Sequence, residues 1–192
     1  MNMYVIAGCN GAGKTTASYS ILPEMLECSE FVNSDEIAKE LSTIPTKSVK
    51  FEATRIMLER MRSLIENGSD FAFETTLATK TFEAILNQAK EKGYKITLVF
   101  FWLDTPELAY RRVQDRVAQG GHDVPKDVVY RRYLSGMRNF SKIYMHIADY
   151  WMIINNSNNP FILVADGAKG TVLNTYVEDV FNKIIIDGTE RN

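Results

Sequence analysis

The run Gly8-Cys9-Asn10-Gly11-Ala12-Gly13-Lys14-Thr15, with Thr16 after it, constrains this chain more than any other stretch. It follows the pattern G-x-x-x-x-G-K-[ST] and sits between an apolar run, Met3 to Ala7, and a helix-compatible stretch from Lys14 to about Leu26. A loop between a buried strand and a helix N-terminus aims several backbone N–H groups at one point, and the helix dipole favours negative charge there. In this pattern Lys14 reaches the β- and γ-phosphates and the Thr15 hydroxyl helps to hold Mg²⁺. Residues Gly8, Cys9, Asn10, Gly11, Ala12, Gly13, Lys14, Thr15 and Thr16 are therefore expected to bind a nucleoside triphosphate. No Asn-Lys-x-Asp run that would read guanine occurs, which favours ATP.

The rest of the chain reads as strands alternating with helices. Strands are expected at 30–33, 71–73, 96–103, 151–154 and 161–164. Helices are expected from Asn33-Ser34-Asp35, over about 46–67 after a turn at Ile44-Pro45, over 81–91, from Pro106, and over about 126–149. Pro23 should bend or break the first helix. An apolar-periodic helix is expected over 171–186. Such alternation predicts an α/β fold, a three-layer α/β/α sandwich with a mainly parallel central sheet and ligands at the strand C-terminal ends. At 192 residues one domain, 1–192, is expected, with a helical lid at about 108–135.

Composition narrows the partners. The 22 Lys and Arg against 24 Asp and Glu leave no general basic field for a nucleic acid backbone. The longest apolar run, Ile96 to Leu103, is too short to span a bilayer, and a glycine-rich loop reached within eight residues is expected to leave no room for a signal peptide. Two cysteines, Cys9 and Cys28, predict no disulfide framework and a reducing cytoplasm. Cys9 reads as a loop filler whose thiol the nearby helix N-terminus can acidify. His122 and His146 lie without acidic or cysteine neighbours at zinc spacing.

Three further features fall at strand ends. Asp35 opens a helix and serves either as general base for an attacking hydroxyl or as a carboxylate complementing the helix dipole. Glu74-Thr75-Thr76 suits either a polar substrate or a solvated, capped strand end. Arg111, Arg112, Arg116, Arg131 and Arg132 flank Gly120-Gly121-His122-Asp123-Val124-Pro125, as a phosphate-clamping lid or as a solvated helix face. Asp104 reads as the cap of the helix after it rather than as a metal carboxylate.

Together these stretches resemble the zeta toxin family of P-loop kinases. The resemblance rests on the glycine-rich loop, Asn33-Ser34-Asp35, Phe73-Glu74-Thr75-Thr76-Leu77, Phe101-Trp102-Leu103-Asp104-Thr105-Pro106, and the run from Arg112 through Gly120-Gly121-His122-Asp123-Val124-Pro125 to Arg131-Arg132-Tyr133. It implies transfer of the ATP γ-phosphate, with Mg²⁺, to a hydroxyl of a small molecule, possibly the 3′-hydroxyl of UDP-N-acetylglucosamine as in toxin members. By the same resemblance Asp35 is the base, Lys14 and Thr15 hold phosphate and metal, and Glu74, Thr75, Thr76 and Glu52 meet the substrate. Arg116 with Arg131 or Arg132 would serve the phosphates, and an antitoxin protein is a possible partner. The competing expectation is a nucleotide-dependent regulatory ATPase or partner-binding module without a small-molecule acceptor.

Overall fold

The computed structural model describes residues 1–25, 28, 30–42, 46–121 and 123–189. The expected turn at Ile44-Pro45, the helix end at Leu26 and His122 lie outside the described residues.

Strand β1 (Asn2–Gly8) alternates little in polarity because both its faces are covered. It lies between β3 (Phe71–Thr75) and β4 (Lys95–Trp102), parallel to both, with Val5 opposite Phe73 and Leu98. The short β2 (Phe31–Val32) pairs with β3, and β5 (Tyr150–Asn155) with β4, also in parallel. Two antiparallel strands, β6 (Ile162–Ala168) and β7 (Thr171–Thr175), extend the sheet, giving the order β2-β3-β1-β4-β5-β6-β7.

Helices cover both faces. Helix α1 (Lys14–Met25) lies on one, where Ala17 and Ser18 meet Ile6, Val99 and Phe101. Helix α2 (Ser34–Leu41) packs on α3 (Lys47–Glu66), and α3 on β2 and on α4 (Thr81–Glu91), which covers the other face. There Phe82 of α4 lies 5.1 Å from Phe73, centroid to centroid. Helices α5 (Pro106–Ala118) and α6 (Lys126–Asn139) follow β4. Chain continues from α6 through a π-helical turn, Phe140–Tyr144, and a short α7 (Met145–Ile147). Phe140 stacks on Phe100 at 4.6 Å and meets Trp151 edge-on, and Trp151 stacks on Phe181 of α8 (Glu178–Thr189).

The three-layer fold with a mainly parallel sheet is as expected, but several boundaries differ. Pro23 does not end α1, which continues to Met25. The helix expected to reach 149 stops at Asn139, where the chain widens into the π turn that seats Phe140 on Phe100. The segment expected as one helix over 171–186 divides. Thr171–Thr175 pairs with β6, and α8 begins only at Glu178. Thr and Val favour the extended strand, and the two-residue connection at Lys169 and Gly170 turns it back on β6.

Candidate active site

The loop after β1 closes on itself through Ala12 N–H to the Cys9 carbonyl, 3.2 Å, and opens α1 at Lys14. Two of its glycines have no substitute. Gly11 adopts φ +80° with the Ala109 carbonyl 2.5 Å from where a Cβ would stand. Gly13 adopts φ +84° with the Asn156 amide nitrogen 2.4 Å from its missing Cβ. Both conformations are left-handed, and both lack space for any side chain.

Lys14 is 6% exposed, so its ammonium must find partners inside the protein. It donates to the Cys9 carbonyl at 3.0 Å and pairs with Glu74 at 3.5 Å. The same carboxylate accepts from the Thr15 hydroxyl at 2.8 Å and from the Asn33 amide at 3.1 Å. Glu74 is thus the hub that joins β3, the glycine-rich loop and the start of α2. Asn33 caps α2, accepting from the Asp35 N–H at 2.8 Å, so its side chain fixes Asp35 and Glu74 together. Asp35 itself is exposed.

From the opposite side, α6 brings Arg132 over the loop, where its guanidinium donates to the Asn10 side chain at 3.1 Å. Burial pulls the Arg132 pKa down, the Asp35 carboxylate acts against that, and Arg131 adds to it. Arg132 is therefore a half-buried cation held by a neutral amide, with its charge favoured by the Asp35 carboxylate. That arrangement suits an incoming anion. Arg131 is exposed on the neighbouring helix position, and Arg116 is exposed on α5.

Thr75, expected to meet substrate, is buried and accepts from the Leu77 N–H at 3.0 Å. Leu77 is fully buried with φ +52°, a left-handed conformation unusual for a branched side chain. Asn139 of α6 holds it by donating to the Leu77 carbonyl at 2.6 Å. Thr76 stands half-buried at this turn, its carbonyl packed on Gly136. Glu52 lies on α3, its carboxylate joined to Arg55 by two hydrogen bonds. No contact described here joins Glu52 to Glu74 or Asp35.

Two expectations about single groups need correction. Thr105, not Asp104, caps α5 by accepting from Leu108 N–H at 3.1 Å. Asp104 instead accepts from Asn155 at 3.0 Å. The Cys9 thiol is not acidified. Burial pushes it up to about 11, against the opposing pull of Lys14 and Arg112.

Sequence reasoning passed over Asn33 as a site residue, and also Asn156. Asn156 follows β5 and donates to the Ala12 carbonyl at 2.8 Å. Its own carbonyl accepts from Arg112 at 2.8 Å, and Ser157 takes the second guanidinium nitrogen at 2.9 Å. Only the asparagine-rich composition after β5 marked that loop, and spacing along the chain does not reveal that it reaches the glycine-rich loop.

Among the described residues no group of three or more His, Cys, Asp or Glu side chains forms a self-contained metal cage. The hard oxygens of Thr15 and Glu74, 2.8 Å apart, do fit Mg²⁺, which takes few protein ligands and completes its shell with phosphate and water. No helix among the described residues is long and apolar enough to cross a membrane.

Comparison with known proteins agrees with this geometry. The family model described as Zeta toxin matches residues 2–164. A Haemophilus influenzae protein described as uncharacterised is 27% identical over 126 residues, 66% of this chain and 88% of its own length. A chain from the PezAT chromosomal toxin–antitoxin system of Streptococcus pneumoniae matches with a TM-score of 0.64 at 20% identity, covering all of this chain and 80% of that one. A chain of the AvrRxo1-ORF1:ORF2 complex with ATP matches with a TM-score of 0.73 at 16% identity. This chain is covered completely there and spans 65% of that larger one. At these identities the two structural likenesses establish the fold.

Proposed function

This chain belongs to the zeta toxin family, and from that membership and the cluster around Glu74 we propose that it is an ATP-dependent phosphotransferase acting on a hydroxyl of a small molecule. The observation that carries the reading is the single carboxylate that gathers Lys14, Thr15 and Asn33, with Asp35 placed by the Asn33 cap and Arg132 held over the loop by Asn10.

The backbone N–H groups of residues 8–15 would take the phosphates. Lys14 would exchange the Cys9 carbonyl for the β- and γ-phosphate oxygens while Glu74 keeps its ammonium aimed inward. Mg²⁺, with Thr15 as ligand and Glu74 beside it, would neutralise charge on the β- and γ-oxygens. Asp35 would accept the proton of the substrate hydroxyl as that oxygen bonds to the γ-phosphorus and the bond to the β-phosphate oxygen breaks, releasing ADP. Arg132 would offset the charge on the transferred group, with Arg116 and Arg131 delivered by a lid at about 108–135. UDP-N-acetylglucosamine is the acceptor this reading puts first, met by Glu74 and Thr76, while the buried Thr75 would set the turn that places Thr76.

The structures it resembles include a toxin–antitoxin system and a two-component complex, which supports a protein partner of antitoxin type. A cytoplasmic setting fits two buried free cysteines.

Asp35→Asn tests the base assignment. It should bind ATP as the wild type does and lose transfer by roughly 10²–10⁴-fold. Transfer at the wild-type rate would reject Asp35 as the base.

A further inference from the structure

Asn156 is built into the site more firmly than a wall residue needs to be. Its N–H donates to the Trp102 carbonyl at 3.0 Å and its carbonyl accepts from Arg112 at 2.8 Å. Its side-chain amide donates to the Ala12 carbonyl at 2.8 Å. Ser157 beside it is fixed as well, its N–H donating to Asn155 at 2.9 Å and its hydroxyl accepting from Asp104 N–H at 2.8 Å. Arg112 therefore clamps a rigid corner, and only the Asn156 amide projects from that corner to the glycine-rich loop.

The peptide that the amide meets joins Ala12 to Gly13. A trans peptide is planar, with its C=O and N–H on opposite sides. With the Ala12 carbonyl held against Asn156, the Gly13 N–H must point away from it. Ala12 is fully buried, so a flipped peptide would leave its carbonyl without that partner, at a cost typical of an unsatisfied buried group. Gly13, alone among residue types, lets the amide approach this closely, since a Cβ would lie 2.4 Å from it.

We propose that Asn156, braced by Arg112, is a positioning residue for the polyphosphate: it holds the Ala12–Gly13 peptide so that the Gly13 N–H is aimed at the bound phosphates before they arrive. This rests on the phosphate-binding reading of the loop given above. The effect should be felt by phosphate groups and not by the nucleoside.

Calorimetric titration of the full chain with inorganic tripolyphosphate and Mg²⁺, and separately with adenosine, tests it. Asn156→Ala should weaken tripolyphosphate binding by about 3- to 10-fold, the value of one lost hydrogen bond, and leave adenosine affinity unchanged. Asn156→Asp keeps the volume but sets an oxygen against the Ala12 oxygen, so it should weaken tripolyphosphate more than Asn156→Ala does. It also serves if the alanine variant does not fold. Unchanged tripolyphosphate affinity in a folded variant, or an equal loss for adenosine, would overturn the proposal. A wild type that binds tripolyphosphate yet phosphorylates no acceptor would fail the kinase reading alone. A wild type that binds no tripolyphosphate would overturn both.

Discussion

Lys14 and Cys9 sit side by side in the same loop, and burial treats them in opposite ways. The ammonium is held by a carbonyl and a carboxylate. The thiol has no partner that favours its charged form enough to offset desolvation, and its pKa rises from the ordinary 9.0 to about 11. A folded-state value above the unfolded one means stability that is complete below pH 9 and lost as pH climbs toward 11. At about 1.36 kcal/mol per pH unit the full loss is on the order of 3 kcal/mol. Denaturant unfolding at pH 8, 9.5 and 10.5 should show the wild type losing progressively more stability than Cys9→Ala, with about two thirds of that amount gone by pH 10.5. Parallel pH profiles for the two proteins would contradict it. Lys14 and Thr15 were legible as candidate ligands because the motif carries its own geometry. Glu74 was legible as a site residue, yet its attachment to Lys14 and Thr15 was not. That contact follows from β3 lying beside β1, with Glu74 opposite Ile6, and pairing register cannot be read from either strand alone.

At the scale of elements, α6 matters most, because it touches both sides of the site. Arg132 reaches the glycine-rich loop, Asn139 holds the left-handed Leu77, and Gly136 lies against the Thr76 carbonyl. A glycine inside a helix ordinarily gives way to alanine with a gain of about 1 kcal/mol. Here a Cβ would stand 2.7 Å from that backbone oxygen, so the sign reverses. Gly136→Ala should destabilise the protein by about 1–3 kcal/mol and slow transfer by displacing the turn at Thr76. A gain in thermal stability with unchanged transfer would refute the packing argument. The helix was foreseen, but its end was not. Apolar periodicity runs on through Phe140, Ile143 and Tyr144, whereas the backbone widens to place Phe140 on Phe100. The same limit explains the misread segment at 171–175. Thr171–Thr175 is exposed on both faces of an edge strand, so no alternation marks it, and Val172 and Leu173 extend the apolar spacing of the helix that follows.

For the whole molecule, the order β2-β3-β1-β4-β5 is what makes a site out of distant stretches. It sets the glycine-rich loop between Glu74 on one side and Asn156 on the other, with Asp35 placed by Asn33 and Arg132 held on Asn10. Resemblance supplied the kinase reading and the acceptor; the physical arrangement supplies the charge balance that phosphoryl transfer needs. The most direct test is to incubate the purified protein with Mg-ATP and UDP-N-acetylglucosamine and to follow the sugar nucleotide by mass spectrometry. A gain of one phosphate mass is expected, absent in Lys14→Ala and Asp35→Ala. With ATP bound, no gain on this or any acceptor in a metabolite extract would contradict the phosphotransferase account.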